Sequence, residues 1–105
     1  MIEKTLSKPR QAPDTAGLYA AFVALQNADE AARFFGDIFT PGELATLAER
    51  WRVARLLDGG GKTYREIAEE TGASTATVTR VARFLLQENN QGYRLILDRL
   101  KETSS

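Results

Sequence analysis

The spacing of apolar residues is the feature that most constrains the fold of this chain. From Asp14 onward, apolar residues return at intervals of three and four positions, and no stretch alternates apolar and polar residues convincingly. Side chains three and four positions apart share one face of an α-helix, so the spacing predicts an all-α fold. The predicted helices are 15–27, 29–38, a third from Thr40 to about 57, 64–71, 75–87, and a sixth after the polar segment 88–92.

The N-terminal segment differs from the rest of the chain. Residues 1–13 carry two of the three prolines and show no apolar periodicity. We therefore expect residues 1–13 to form a flexible tail and residues 14–102 to form a single domain.

Several helix boundaries are marked by residues that cap helix ends. Thr40 and Glu43 form a capping-box pattern around Pro41, and Thr63 begins a second such pattern. Within the third helix, the apolar periodicity predicts a core-facing set. That set comprises Leu44, Leu47, Ala48, Trp51 and Ala54.

Composition excludes most catalytic and metal chemistry. The chain has no cysteine and no histidine, so it lacks disulfides, thiolate ligands, cysteine nucleophiles and the most versatile general base. We predict that it is not an enzyme and binds no metal. No apolar run approaches the length of about 18 residues that a membrane span needs, and the N-terminus lacks the apolar region of a signal peptide. The expectation is a soluble cytoplasmic protein without a membrane partner.

The segment from Lys62 to Leu86 predicts a helix-turn-helix at about 63–87. Two short helices are separated by a turn of about three to four residues that contains Gly72. Glycine allows the chain to turn sharply without a Cβ clash, and the small Ala68 lets the two helices approach closely. A helix-turn-helix with a small, polar and basic outer face is typical of double-stranded DNA binding.

The outer face of the second helix provides the candidate DNA contacts. Short side chains allow a helix to lie deep in the major groove, so Thr75, Ala76 and Thr79 are predicted to face base edges. Arg65, Arg80 and Arg83 are predicted to lie nearer phosphates, and the helix starts at Thr63 and Ser74 to offer backbone N–H groups to phosphates.

Local charge supports this interpretation but leaves an alternative open. The whole chain is neutral, whereas residues 50–83 carry seven basic and four acidic residues. Such an excess is also found on solvated helical surfaces. The alternative function is a helix-turn-helix interaction module or adaptor that binds a protein partner with little or no DNA contact.

Several motifs resemble one known family. FTPGELATLAERWRVARLLDGGGKTYREIAEETGASTATVTRVARFL resembles the core of the Trp repressor superfamily. The flanking LYAAFVALQNADEAARFFGDIF and NNQGYRLILDRL resemble its TrpR-related YerC/YecD branch. The resemblance implies a six-helix protomer that interlocks with a second copy as an intertwined homodimer. It also implies a sequence-specific transcriptional regulator, a repressor, and the wide apolar faces of the first two helices agree with the dimer.

The resemblance also implies a ligand pocket, which this chain alters. The positions that hold L-tryptophan in Trp repressors are matched by Thr40, Arg50, Thr77 and Arg80. However, Val81 replaces a glycine, and Phe84 replaces a serine that contacts the amino group of the ligand. Both changes add bulk, and a phenyl ring accepts no ammonium hydrogen bond. We therefore expect no L-tryptophan cofactor, and Arg50 is then an exposed or ion-paired arginine. DNA binding is expected to be constitutive or to respond to another molecule, whose identity the sequence does not give.

Overall fold

The predicted all-α fold is confirmed. A computed structural model of the chain describes residues 12–104 and shows no strand among them. Residues 1–11 of the predicted flexible tail lie outside the described part of the chain. Residues 12–14 precede the first helix and have no regular secondary structure. The six helices are α1 (Thr15–Ala24), α2 (Ala28–Ile38), α3 (Pro41–Gly59), α4 (Tyr64–Thr71), α5 (Thr75–Leu86) and α6 (Gly92–Ser104).

The junction between α1 and α2 differs from the prediction. The first helix was expected to continue to residue 27, but Leu25 adopts an extended conformation with φ −65° and ψ 135°. The cause is a cap: the side-chain oxygen of Asn27 accepts a hydrogen bond from the backbone N–H of Glu30 at 2.9 Å. A capping residue takes a non-helical conformation, so α1 ends before Asn27 and α2 begins at Ala28.

The described residues fall into two compact units, one through Ile38 and one from Phe39. In the first unit, α1 and α2 meet through an aromatic cluster. The ring of Phe22 lies 5.9 Å from that of Phe34 and 5.2 Å from that of Phe35. Neither helix contains a fully buried residue, so this unit leaves much of its apolar surface uncovered in one chain.

The second unit is built around the helix-turn-helix. Helix α3 packs against α4 and α5, α4 packs against α5, and α6 packs against α5. These contacts enclose an apolar core whose large side chains are fully buried. The core consists of Val53, Ala54, Ile67, Ala73, Val78 and Val81.

The predicted core face of α3 is only partly buried. Ala54 is fully buried, whereas Leu47 is 39% exposed and Ala48 is also exposed, so the prediction is wrong for these two positions within one chain. Trp51 is half-buried and stacks on Tyr93, with ring centroids 6.4 Å apart. Periodicity identifies an apolar face but does not show which element covers it.

An ion-pair network joins α3 to α6. Arg94 donates a hydrogen bond of 2.7 Å to one carboxylate oxygen of Asp58, and the amino group of Lys101 lies 2.8 Å from the other. The Lys101 and Arg94 hydrogen bonds lower the pKa of Asp58 below its usual range. The hydrogen bond that Arg94 donates to Asp58 in turn raises the pKa of Arg94. The network fixes the C-terminal helix on the helix-turn-helix unit.

Two findings concern membrane spans and metal sites. Across residues 12–104, no helix combines the length and apolar character that crossing a membrane requires. The same residues contain no group of three or more acidic side chains placed to hold a metal ion.

Candidate nucleic-acid interface

The turn between α4 and α5 is held by Gly72 and the Thr71 hydroxyl. Gly72 adopts φ 79° and ψ 0°, and its backbone N–H donates to the carbonyl of Ala68. The Thr71 hydroxyl donates to the carbonyl of Ile67 at 2.8 Å and accepts from the N–H of Ala73 at 3.1 Å. These bonds pair the backbone N–H groups of Gly72 and Ala73 inside the turn, where an unpaired donor would be costly.

Both helices of the motif begin with a capping side chain. Thr63 and Glu66 exchange hydrogen bonds of 3.0 Å and 2.8 Å in a capping box, as predicted. The Ser74 hydroxyl accepts from the backbone N–H of Thr77 at 3.0 Å and donates to the Thr77 hydroxyl at 3.1 Å. The other backbone N–H groups of each first turn have no partner within the helix. Such groups are suitable donors to phosphate oxygens.

Helix α5 has one buried face and one exposed face. The buried face consists of Val78, Val81, Ala82 and Leu85. The opposite side exposes the positions predicted to contact DNA: Thr75, Ala76, Thr79, Arg80 and Arg83. Arg65 is also exposed, near the start of α4. The structure therefore places the predicted base-facing threonines and phosphate-facing arginines of α5 on one exposed face.

Phe84 contacts both arginines of that face. The guanidinium carbon of Arg80 lies 4.6 Å from the centre of the Phe84 ring, and that of Arg83 lies 5.0 Å from it. Arg83 also approaches Glu88, with 3.7 Å between Nε and the carboxylate oxygen. Sequence reasoning missed all three contacts. The four-residue spacing from Arg80 to Phe84 was the signal that could have indicated the first, because such residues are neighbours on a helix surface.

Ion pairs reduce the positive charge of the surface only in part. Glu70 lies 3.0 Å from the amino group of Lys62 and 3.8 Å from a guanidinium nitrogen of Arg52. Within the described part of the chain, some arginines of the segment 50–83 form no ion pair: Arg50, Arg55, Arg65 and Arg80. An uncompensated positive charge beside an exposed helix start favours an anionic partner.

The predicted ligand-pocket residues are not brought together in the cavity that contains Arg50. Arg50 is half-buried in a depression of about 440 Å³, together with Phe39, Gly42, Glu43, Thr46 and Leu47. Thr40, Thr77 and Arg80 do not line it. Each of these three has another contact: Thr40 caps α3, Thr77 accepts from Ser74, and Arg80 lies on Phe84.

The fold and this surface define a helix-turn-helix protein. The family model described as Trp repressor protein matches residues 15–101, and the chain belongs to the Trp repressor family, a family of DNA-binding regulators. The uncharacterized protein YerC of Bacillus subtilis is 46% identical over 88 residues, which cover 84% of this chain and 83% of YerC.

Two further proteins are similar to this chain. A TrpR like protein from Eubacterium eligens is 43% identical in sequence to this chain. Its crystal structure matches with a TM-score of 0.74, and the match covers 82% of this chain and 87% of that one. A Trp operon repressor homolog of Chlamydia trachomatis is 36% identical over 59% of this chain and 70% of its own length. These similarities confirm the predicted relation to the TrpR-related, YerC-type proteins.

Proposed function

We propose that this protein is a sequence-specific transcriptional repressor that binds double-stranded DNA as a homodimer, with α5 in the major groove. The proposal rests on the burial of one face of α5 and the exposure of the other. The apolar face packs in the core, and Thr75, Thr79, Arg80 and Arg83 remain exposed. Recognition helices of this motif place short polar residues against base edges and basic residues against phosphates. The cytoplasmic location expected from the sequence remains a prediction.

Exposed apolar side chains support the homodimer. Large apolar side chains that one chain leaves in water can pack against a partner. Within each of the two units, large apolar residues are exposed in the single chain. They are Leu18, Tyr19, Val23 and Ile38 in the first unit and Leu47, Tyr64, Leu86, Leu95, Ile96 and Leu100 in the second. A second copy of the chain supplies matching apolar surface, as symmetric dimers do.

Sedimentation at micromolar concentration tests the dimer. We expect the mass of two chains for the native protein. Phe34→Asp or Leu47→Asp should weaken dimerisation and destabilise the protein together, because each places a charge among apolar side chains that one chain leaves partly uncovered and a second copy would cover. Thr79→Asp is the matched control, since it places the same charge on the DNA-facing helix and should leave the dimer intact. A stable native monomer contradicts the homodimer.

Selection of bound genomic fragments by the purified protein tests sequence specificity. Binding of an enriched fragment should weaken steeply as salt rises, because contacts to phosphates release counterions. Arg83→Ala should weaken binding to all sequences alike and reduce the salt slope by about one unit. No enrichment, together with binding that does not depend on salt, contradicts the proposal and is the result an adaptor would give.

We also propose that L-tryptophan is not the corepressor. Val81 is 1% exposed in the core, and the Phe84 ring holds the Arg80 guanidinium. Seating a ligand beside Phe84 must displace that contact, and overpacking alone costs about 1–3 kcal/mol. The ammonium group also loses an acceptor where Phe84 stands.

Calorimetry with millimolar L-tryptophan tests this proposal. We expect no saturable heat and DNA binding of equal strength with and without the amino acid. Micromolar binding, or DNA binding only in its presence, contradicts the proposal.

A further inference from the structure

We infer that Phe84 is a positioning residue for DNA binding, whose ring holds the guanidinium groups of Arg80 and Arg83 ready for phosphate contact. The inference rests on the proposed function, and it assigns to the helix-turn-helix a residue whose side chain bears no charge and donates no hydrogen bond.

The geometry places two cations on one ring. The guanidinium carbons lie 4.6 Å and 5.0 Å from the ring centre, inside the range of about 6 Å over which the quadrupole of a ring attracts a cation. Phe84 is half-buried, and Leu85 beside it is 3% exposed. The anchored helix therefore fixes the ring, and the ring restrains both flexible side chains.

Restraint of this kind matters because free arginine side chains lose rotamer freedom when they bind. Ordering before the DNA arrives removes that loss from the binding step. Within residues 12–104, Arg80 has no carboxylate partner, so the Phe84 ring rather than an ion pair orients it. The ring leaves the positive charge of Arg80 intact for phosphates, whereas a carboxylate would neutralise it. Arg83 contacts the same ring and also lies 3.7 Å from Glu88, so only part of its restraint comes from Phe84.

Phe84→Leu and Phe84→Tyr separate the effect of the ring from that of apolar bulk. Leucine keeps an apolar side chain on the helix but offers no aromatic face, and tyrosine keeps the ring. The probe is a fluorescent mixed-sequence duplex of about 30 base pairs in low salt, because phosphate contact requires no specific sequence. We expect Phe84→Leu to weaken binding by about three- to tenfold and Phe84→Tyr to bind within about twofold of the native protein.

The salt slope distinguishes positioning from loss of a phosphate contact. In Phe84→Leu both arginines still reach phosphates, so the slope should stay within about half a unit of the native value. Arg83→Ala should lose about one unit. A slope that falls equally in both variants contradicts a positioning role.

A double-mutant cycle separates positioning from a general structural role. If Phe84 acts through the two arginines, Phe84→Leu should have no further effect in an Arg80→Ala, Arg83→Ala background. If Phe84 only supports the fold, the same loss should occur in both backgrounds, and this result overturns the inference. Melting temperature and sedimentation of each variant verify the folded state.

Three outcomes separate this inference from the proposed function. If the native protein does not bind the duplex, both fail. If it binds tightly and the double alanine variant binds equally well, the role of Phe84 fails and the proposed function stands. If the native protein binds tightly and Phe84→Leu binds equally well, only the role of Phe84 fails.

A measurement without DNA adds a direct check: ring currents should shift the side-chain protons of Arg80 and Arg83 upfield in NMR spectra of the native protein. These shifts should vanish in Phe84→Leu, and their absence from the native protein contradicts the inference.

Discussion

Replacing Gly72 with alanine should destabilise the protein through the backbone alone. Gly72 ends α4 in the left-handed region, with φ 79°, and makes the turn that aims α5. A Cβ built at this position meets no atom within 4 Å. The substitution therefore adds no packing clash, and its cost comes from forcing an L-residue into a conformation that glycine adopts freely.

The magnitude follows from two opposing terms. An L-residue in the left-handed helical conformation costs about 1–2 kcal/mol. Alanine also restricts the unfolded chain, which offsets about 0.4–1 kcal/mol of that cost. We expect Gly72→Ala to lower the free energy of unfolding by about 1 kcal/mol. For a domain of this size, the melting temperature should fall by about 4–8 °C.

Denaturant and thermal unfolding at one fixed protein concentration measure this effect, since oligomerisation makes stability concentration-dependent. Gly92→Ala is the matched control: Gly92 begins α6 without a positive φ, and its Cβ position is equally open. The control should match the native protein or exceed it slightly in stability. Gly72→Asn should lose less than Gly72→Ala, because asparagine tolerates the left-handed region better. Equal stability of Gly72→Ala and the native protein would refute this account of the turn.

Two further predictions concern charged groups. Because its partners lower the pKa of Asp58, its carboxylate stabilises the fold above the unfolded pKa of about 4, and this contribution is lost as pH falls through the lower folded pKa. Asp58→Asn should therefore be less stable than the native protein at pH 7, with a gap that narrows toward pH 2 in denaturant titrations; a constant gap contradicts the prediction. Glu88→Gln should free Arg83 from its carboxylate partner and strengthen binding to a mixed-sequence duplex about two- to fivefold in low salt. Equal or weaker binding contradicts that role for Glu88.

The helix-turn-helix was predictable because its signals are local. The capping box at Thr63, the glycine at position 72 and the cap at Ser74 lie within a few residues of the boundaries they set. The structure places α4 over the predicted range and α5 within one residue of it. Cap and turn chemistry act over single turns of chain, so a sequence shows them directly.

Other features of the fold depend on competing local signals or on residues that are far apart in the sequence. The end of α1 was not predicted correctly. Asn27 was assigned to the end of the first helix, but its side chain caps α2. The exposure of Leu47 was missed because periodicity does not reveal the surface that covers a face. The network around Asp58 joins residues far apart in sequence, so no local pattern indicates it.

The candidate site also has features that the sequence predicts and features that it does not. The exposed positions of α5 follow from helical periodicity alone, because Val78 and Leu85 define the buried side. The contacts of Phe84 with two arginines depend on side-chain conformations, which a sequence constrains only weakly.

The central claim, that the outer face of α5 reads bases in the major groove, is tested most directly by selecting duplexes from a random library with two proteins side by side. The native protein and Thr79→Ala are compared, and the enriched sequences are aligned. The account predicts a two-fold symmetric motif for the native protein and, for Thr79→Ala, the same motif with preference altered at one position in each half-site. Identical motifs from both proteins, or no motif from the native protein, would contradict the placement of this helix in the groove.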